Sequence, residues 1–217
     1  MYGKILVMTA VSAERDAVLR GLGENDRFDV KLAGVGPVAA AVNTTTALFE
    51  AGGYDLVISA GIAGGFEGRA DIGNVVVSTA IIAADLGVET PDGFSSVDEL
   101  GFGTSRIGVD KLLARRVVDA LKNSSIVVSS GPIVTVSTAT GTAETTAELT
   151  ARVPGVAAEG MEGYGVAAAA HARGLPVLEI RAISNRVGPR DRSAWRIGDA
   201  LASLEAAFAR LTEGLLS

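Results

Sequence analysis

The stretch 55-DLVISAGIAGG-65 predicts a buried strand over residues 55–60 that runs directly into a glycine-rich turn at 61–65. Its apolar residues do not alternate with polar ones, which is typical of a strand covered on both faces. The glycines match neither G-x-G-x-x-G nor a P-loop, because no Lys-Ser/Thr pair follows. Two interpretations stay open: a loop that approaches a nucleotide, and a tight strand exit that needs positive φ.

Strands and helices alternate on both sides of this stretch. We expect further strands at 4–9, 28–35, 74–83, 125–135, 156–159 and 176–183, and helices at 12–22, 37–50, 111–121, 142–152, 161–172 and 197–216. Residues 85–106, between the strand at 74–83 and the helix at 111–121, are predicted to form a long polar loop. A loop of this length favours a functional or mobile segment. The alternation predicts an α/β fold: one domain over 1–217, built as a three-layer αβα sandwich around a mostly parallel, twisted mixed sheet.

Composition excludes several classes of function. Lys and Arg number 19 against 25 Asp and Glu, a formal charge of −6 that argues against a nucleic-acid partner. There is no Cys, which excludes thiolate zinc sites and thiol nucleophiles, and the single His171 argues against a triad or a multi-His metal site. No apolar run approaches the ~18 residues of a membrane span, so we expect a cytoplasmic protein. No residue pattern indicates a metal or an organic cofactor.

Glu14 is the first candidate functional residue. It falls in the first turn of a helix that Ser12 is expected to cap, directly after the first predicted strand. A carboxylate there commonly compensates the helix dipole. It also stands at the carboxyl end of a strand, where open α/β sheets bind ligands. Both interpretations stay open on the residue alone.

Acidic and basic residues also occur inside otherwise apolar segments near the C-terminal third. Glu159 and Glu162 flank Met161 in a run of Val, Ala and Gly, and buried glutamates need partners. Either Arg181 or a ligand hydroxyl would serve, and we favour the ligand. Arg181 lies in a core strand where Glu179, on the same face, can satisfy it.

The segment after that strand carries four arginines: Arg186, Arg190, Arg192 and Arg196. Such a run is usually a solvated surface. In a chain of net negative charge it is also a candidate anion site. Asn185, at the strand end, is either a turn residue or a site residue.

Five short motifs occur in one order along nearly the whole chain. They are Glu14, 34-GVGPVAAA-41, 60-AGIAGG-65, 160-GMEG-163 and 181-RAISN-185. Together they resemble the nucleoside phosphorylase/nucleosidase superfamily, which includes the methylthioadenosine/S-adenosylhomocysteine nucleosidases. The segments 85-DLGVETPDGF-94 and 187-VGPRDRSAW-195 are more similar to the futalosine hydrolases of menaquinone biosynthesis.

The resemblance implies an N-glycosyl hydrolase that uses water to release hypoxanthine from futalosine, leaving dehypoxanthine futalosine. Alternatives are a methylthioadenosine/S-adenosylhomocysteine-type nucleosidase, a 6-oxopurine nucleoside phosphorylase, and a non-catalytic nucleoside-binding module. A phosphorylase needs basic residues near the glycine turns, where only Arg69 occurs, so hydrolysis is favoured. The resemblance also implies a homo-oligomer, dimeric or dimer-based, with 85–106 as the segment that closes a neighbour's site.

The resemblance further implies a role for individual residues. Glu14 would activate water near Arg181, Asn185 would face the purine, Met161 would pack on the ribose and Glu162 would accept hydrogen bonds from its hydroxyls. The remaining substrate-binding residues expected are Gly61, Ile62, Ala63, Val136, Thr138, Ala139, Thr140, Phe94, Arg190 and Trp195.

Three positions depart from the adenine-releasing nucleosidases, which carry Asp at 185, Ser at 62 and an aromatic residue that falls on Ala139. An Asn cannot act as an acid, but it offers one NH₂ donor and one carbonyl acceptor. The donor suits a 6-oxo group and the acceptor suits a protonated N7. Asn185 therefore favours hypoxanthine over adenine, and such polar mismatches discriminate far more strongly than a lost methylene.

Overall fold

A computed structural model describes residues 2–122 and 126–216. Strands and helices alternate through both ranges. The strands are β1 Ile5–Thr9, β2 Phe28–Leu32, β3 Leu56–Gly65, β4 Val75–Ala83, β5 Gly87–Thr90, β6 Gly93–Ser96, β7 Arg106–Gly108, β8 Val128–Thr135, β9 Ala158–Gly160 and β10 Val177–Arg186. The helices are α1 Ser12–Leu22, α2 Pro37–Glu50, α3 Lys111–Lys122, α4 Ala143–Arg152, α5 Gly163–His171 and α6 Ile197–Leu216, with a 3₁₀ turn at Arg192–Ala194.

The main sheet is mixed and partly closed. β1 pairs in parallel with β2 and β3, and β3 pairs in parallel with β10 and antiparallel with β9. β8 runs parallel to both β4 and β9, and β4 runs antiparallel to β10 and β7. Five strands, β3, β9, β8, β4 and β10, therefore close into a ring from which β1 and β2 extend. The predicted α/β fold with a mixed sheet is confirmed, whereas the closure into a ring has no counterpart in the sequence pattern.

The helices pack in two groups against this sheet. α6 packs against α1 and α3, and α2 packs against α5. On α6 the residues Leu204, Phe208 and Leu211 are fully buried, at the spacing of one helical face. No helix within residues 2–122 and 126–216 is long and apolar enough to span a bilayer.

The glycine-rich segment after residue 60 differs from its prediction. The strand does not stop at Ala60 but continues to Gly65, because β9 and β10 supply partners on both sides. The glycines at 61, 64 and 65 all lie outside the positive-φ region, so the expectation of a positive-φ turn is wrong. Close approach explains Gly61 instead, because a Cβ there would lie 2.5 Å from Oε1 of Glu14.

The polar segment 85–106 also has more structure than predicted. β5 and β6 form a separate two-stranded hairpin, and β7 pairs with β4. The strand predicted from residue 125 begins at Val128, and Ser125 itself lies outside the described residues.

Candidate active site

A half-open cavity of about 210 Å³ lies at the carboxyl ends of the parallel strands β1, β3 and β10. This is the edge at which open α/β sheets bind ligands. Ten of the residues predicted from the sequence line it: Glu14, Ile62, Ala63, Ala139, Thr140, Met161, Glu162, Asn185, Arg190 and Trp195.

Glu14 is buried at one end of this cavity, at the start of α1. Its Oε2 accepts hydrogen bonds from the backbone N–H groups of Ala10 (2.9 Å) and Val11 (3.2 Å), and its Oε1 accepts from the N–H of Ile62 (2.8 Å). The capping position belongs to Val11 rather than to the predicted Ser12, and Glu14 closes the helix end. Burial raises the pKa of Glu14, and the charge of Arg181 opposes that rise. The carboxylate is thus both a capping group and part of the cavity wall.

Arg181 lies behind the cavity wall and is fully buried on β10. Its Nε donates to Oε1 of Glu179 at 2.8 Å, and its Nη2 donates to Oε2 of Glu162 at 3.2 Å. Burial alone would lower the pKa of Arg181, but the carboxylates of Glu179, Glu162 and Glu14 outweigh it and raise the pKa. The guanidinium therefore stays charged and holds Glu162 in place. The predicted pairing of Arg181 with Glu179 is confirmed.

Glu162 is the N-cap residue directly before α5 and lies between Arg181 and the cavity. Besides the ion pair, its carboxylate accepts hydrogen bonds from the backbone N–H groups of Gly36 (3.3 Å) and Met161 (3.4 Å). Of the two partners considered for this carboxylate, the structure shows Arg181, and the favoured contact with a ligand hydroxyl stays a prediction. A carboxylate held in this way presents its remaining lone pairs to a ligand.

Ile62 links Glu14 to Arg181 through its main chain. Its N–H donates to Glu14, and its carbonyl oxygen accepts from Nη1 of Arg181 at 3.4 Å. Gly61 lies directly before it and does not line the cavity, since its role is to let the two side chains approach the strand.

Asn185 lies at the opposite end of the cavity and is half-buried. Its Oδ1 accepts from the hydroxyl of Ser184 (2.8 Å), and its Nδ2 donates to the carbonyl of Arg186 (2.9 Å). One N–H and one carbonyl lone pair are left, which are the groups a purine edge would use.

A second polar pair lies across β3 from Asn185. Oε1 of Glu159 accepts from the backbone N–H of Thr140 at 2.9 Å, and Oε2 accepts from its hydroxyl. Burial raises the pKa of Glu159, while the two hydrogen bonds from Thr140 lower it. Position 139, exposed beside this pair, carries an alanine, so no aromatic ring from this position covers the cavity.

At the mouth of the cavity Arg190 lies over the ring of Trp195, 5.2 Å from its centroid. Three other predicted residues lie outside the cavity. Val136 is buried in a separate apolar cluster, and Thr138 is exposed. Phe94 faces a different cavity of about 1050 Å³, where Arg152 stacks on its ring at 3.7 Å.

Eight further residues line the cavity that the resemblance did not assign to substrate binding: Ala10, Val11, Gly64, Glu159, Gly160, Ser184, Arg186 and Val187. Arg186 belongs to the arginine-rich segment that the sequence marked as a candidate anion site. Apart from Arg186 and Glu159, these residues have small or apolar side chains that carry no signal of their own. Glu159 did carry one, as an acid in an apolar segment, and the structure gives it Thr140 rather than Arg181 as partner.

Comparison with known proteins accounts for this arrangement. The profile of the phosphorylase superfamily matches residues 17–217. The chain is 49% identical to a futalosine hydrolase of Streptomyces coelicolor, with 98% of this chain and 97% of the relative aligned. The chain belongs to the futalosine hydrolase family of the phosphorylase superfamily.

A second member of the family, a futalosine hydrolase of Acidothermus cellulolyticus, is 45% identical over 97% of this chain and 91% of the relative. Among solved structures, a 5′-methylthioadenosine/S-adenosylhomocysteine nucleosidase of Neisseria meningitidis, in complex with methylthio-immucillin-A, superposes with a TM-score of 0.83. It is 24% identical, with 98% of this chain and 100% of the other covered, so the likeness shows the shared fold.

Proposed function

We propose that the chain hydrolyses the N-glycosidic bond of futalosine, releasing hypoxanthine. The observation that carries this proposal is the 49% identity, over nearly the whole chain, to the futalosine hydrolase of Streptomyces coelicolor. The buried cluster of Glu14, Glu162 and Arg181 beside the cavity supports it, because cleavage of a nucleoside needs one group on the water and another on the sugar.

Glu14 acts on the water. Three backbone N–H groups fix its carboxylate. Burial raises the pKa of this carboxyl, which makes the carboxylate a stronger base than an exposed one. It takes a proton from the water whose oxygen bonds to the anomeric carbon. The bond from that carbon to the base breaks, and its electron pair leaves with the purine.

Glu162 acts on the sugar. Its carboxylate accepts hydrogen bonds from the ribose hydroxyls, and its charge stabilises the positive charge that the ribose gains as the base departs. Arg181 is a positioning residue, because it holds Glu162 through the 3.2 Å contact. Met161 packs on the sugar beside it.

Asn185 acts on the leaving base. Its free N–H donates to the 6-oxo group, and its carbonyl accepts from the protonated N7. N7 takes its proton from solvent, so the purine departs as a neutral base that Asn185 stabilises at both positions, and the proton that Glu14 took from the water returns to solvent.

Chromatography of the products formed from futalosine, inosine and methylthioadenosine, with and without phosphate, tests the proposal. We expect hypoxanthine from futalosine in the absence of phosphate. Base release that requires phosphate would indicate a phosphorylase instead. A thermal shift with futalosine but no released base would indicate a binding module.

We also infer a homo-oligomer in the cytoplasm. Large apolar side chains are exposed on one helix, with Val38 at 77% and Phe49 at 79% exposure on α2, and Phe102 at 81% lies in the 85–106 segment. Surface of this kind supports an interface between copies of the chain. Light scattering coupled to size exclusion is expected to give at least twice the monomer mass.

A further inference from the structure

Glu159 is a carboxylate in the cavity wall that the reaction steps above do not use. It is 8% exposed and lines the cavity, and both of its oxygens accept hydrogen bonds from Thr140. Within residues 2–122 and 126–216 no Lys, Arg or His forms an ion pair with it. A buried glutamate without a cation is uncommon, because burial disfavours its charge. A contact with a ligand in the cavity would explain why a carboxylate is kept at this position.

The strand register brings Glu159 opposite Asn185. Gly64 of β3 pairs with Glu159 of β9 on one side and with Asn185 of β10 on the other. Neighbouring strands lie about 4.8 Å apart, so the two backbones stand roughly 10 Å from each other across Gly64. Residues in register project to the same face of a sheet, and all three line the cavity.

Gly64 lets the side chains of Val187 and Asn185 pack directly against β3. A Cβ at this position would lie 2.9 Å from Cγ2 of Val187 and 3.3 Å from Nδ2 of Asn185. The amide of Asn185 therefore reaches over the strand that separates it from Glu159, and no side chain at position 64 stands between the two.

We propose that Glu159 is a specificity-determining residue that accepts a hydrogen bond from the N1–H of the 6-oxopurine, across the cavity from Asn185. The inference rests on the proposed function, since it names how that site selects its base. A 6-oxopurine carries a proton on N1, whereas N1 of a 6-aminopurine carries a lone pair. An ionised carboxylate only accepts, so it attracts the first and repels the second.

The carboxylate has the capacity for this contact. Each oxygen has two acceptor positions, and Thr140 takes one on each. The two hydrogen bonds from Thr140 fix the carboxylate, so that little of its freedom is lost when the base binds.

The test measures kcat/KM for futalosine and for its 6-amino counterpart, which share one 5′ group. In Glu159→Gln we expect the ratio of the first to the second to fall about 10- to 100-fold, the size of one hydrogen bond to a charged group. The neutral amide can also donate to N1 of the aminopurine, which lowers the ratio further. Glu144→Gln, an exposed position on α4, is the matched control and is expected to keep the wild-type ratio.

An equal fall for both substrates would mean that Glu159 only shapes the loop around Thr140, and would overturn the proposal. Release of no hypoxanthine by the wild-type chain would instead overturn the proposed function. If Glu159→Gln does not fold, hypoxanthine labelled with ¹⁵N at N1 and bound to the wild-type chain gives the answer. A protected N1 proton close to the Glu159 methylenes supports the proposal, and an N1 proton that exchanges as in the free base contradicts it.

Discussion

The two ends of the cavity are built in different ways. At the sugar end, Glu14, Glu162 and Arg181 are all less than a tenth exposed and are held by backbone N–H groups and ion pairs. At the base end, Asn185 is half-buried, and Ala139 and Arg190 are exposed on connecting segments. The first end consists of buried charges that hold one another, whereas the second combines residues at strand ends, Asn185 and Glu159, with exposed connecting segments.

This difference suits two tasks: the sugar end carries out the reaction, and the base end selects the substrate. A charged group that must act on a reacting atom gains from being immobile and shielded from water. Recognition of one base among several depends on a few hydrogen bonds that can be exchanged without disturbing the fold. Substitutions at the sugar end are therefore expected to lower turnover for every substrate, and those at the base end to change the order of preference.

Glu14→Gln is expected to have the largest effect. Removal of the general base should lower kcat for futalosine about 10²- to 10⁴-fold. Stopped assays of hypoxanthine release measure it. Asp16→Asn, half-exposed on the same helix, is the control. Turnover within a factor of three of wild type would exclude Glu14 as the base.

Glu162→Gln is expected to have the second-largest effect. We expect kcat/KM for futalosine to fall about 10- to 100-fold, because a charge-assisted hydrogen bond to the sugar is weakened. The same substitution should matter less for a 2′-deoxy substrate, which lacks one of the hydroxyls. An identical loss for both sugars would argue that Glu162 serves only to neutralise Arg181.

Asn185→Asp is expected to change preference rather than turnover. Activity on 6-amino nucleosides should rise at least about 10-fold relative to 6-oxo nucleosides, because the carboxylate accepts from the amino group and loses the donor for O6. Competition between the two substrates in one assay gives the ratio directly. Asn25→Asp, far from the cavity, should leave it unchanged, and an unaltered ratio at 185 would refute the selectivity argument.

Arg190→Ala should have the smallest effect. Futalosine bears a carboxyphenyl group on its 5′ side, and the arginine-rich segment is a candidate partner for that carboxylate. Arg190 is exposed at the mouth of the cavity, where such an ion pair is screened by solvent. We expect KM for futalosine to rise about 2- to 5-fold and KM for inosine, which lacks that carboxylate, to stay the same. Arg192→Ala in the same segment, outside the cavity lining, is the comparison. A rise with both substrates would point to a change in the loop itself.

Local signals in the sequence were sufficient for much of the fold. Pro37 at the start of α2 and the apolar spacing of α6 gave both helices their observed bounds. The strand through Gly65 was missed because its continuation depends on β9 and β10, which lie far away in sequence. For the same reason the pairing of Glu159 with Thr140 could not be predicted.

The sugar end of the cavity was easier to predict than the base end. Glu14, Glu162 and Arg181 are charges in apolar segments, and such residues must meet one another or a ligand. Phe94 and Thr138 lie in segments whose course the sequence leaves open, and the structure places both away from the cavity. Their predicted contact with substrate stays a prediction.

The double use of the Ile62 peptide groups has a consequence for how this cavity can diverge. The carboxylate of Glu14 and the guanidinium of Arg181 both form hydrogen bonds with main-chain atoms of Ile62. The Ile62 side chain takes no part in positioning these two groups. Replacement of that isoleucine can therefore retune the wall next to the nucleoside while the reacting groups keep their alignment. Because these hydrogen bonds come from the backbone, substrate preference can change through substitution at position 62 while Glu14 and Arg181 keep their positions.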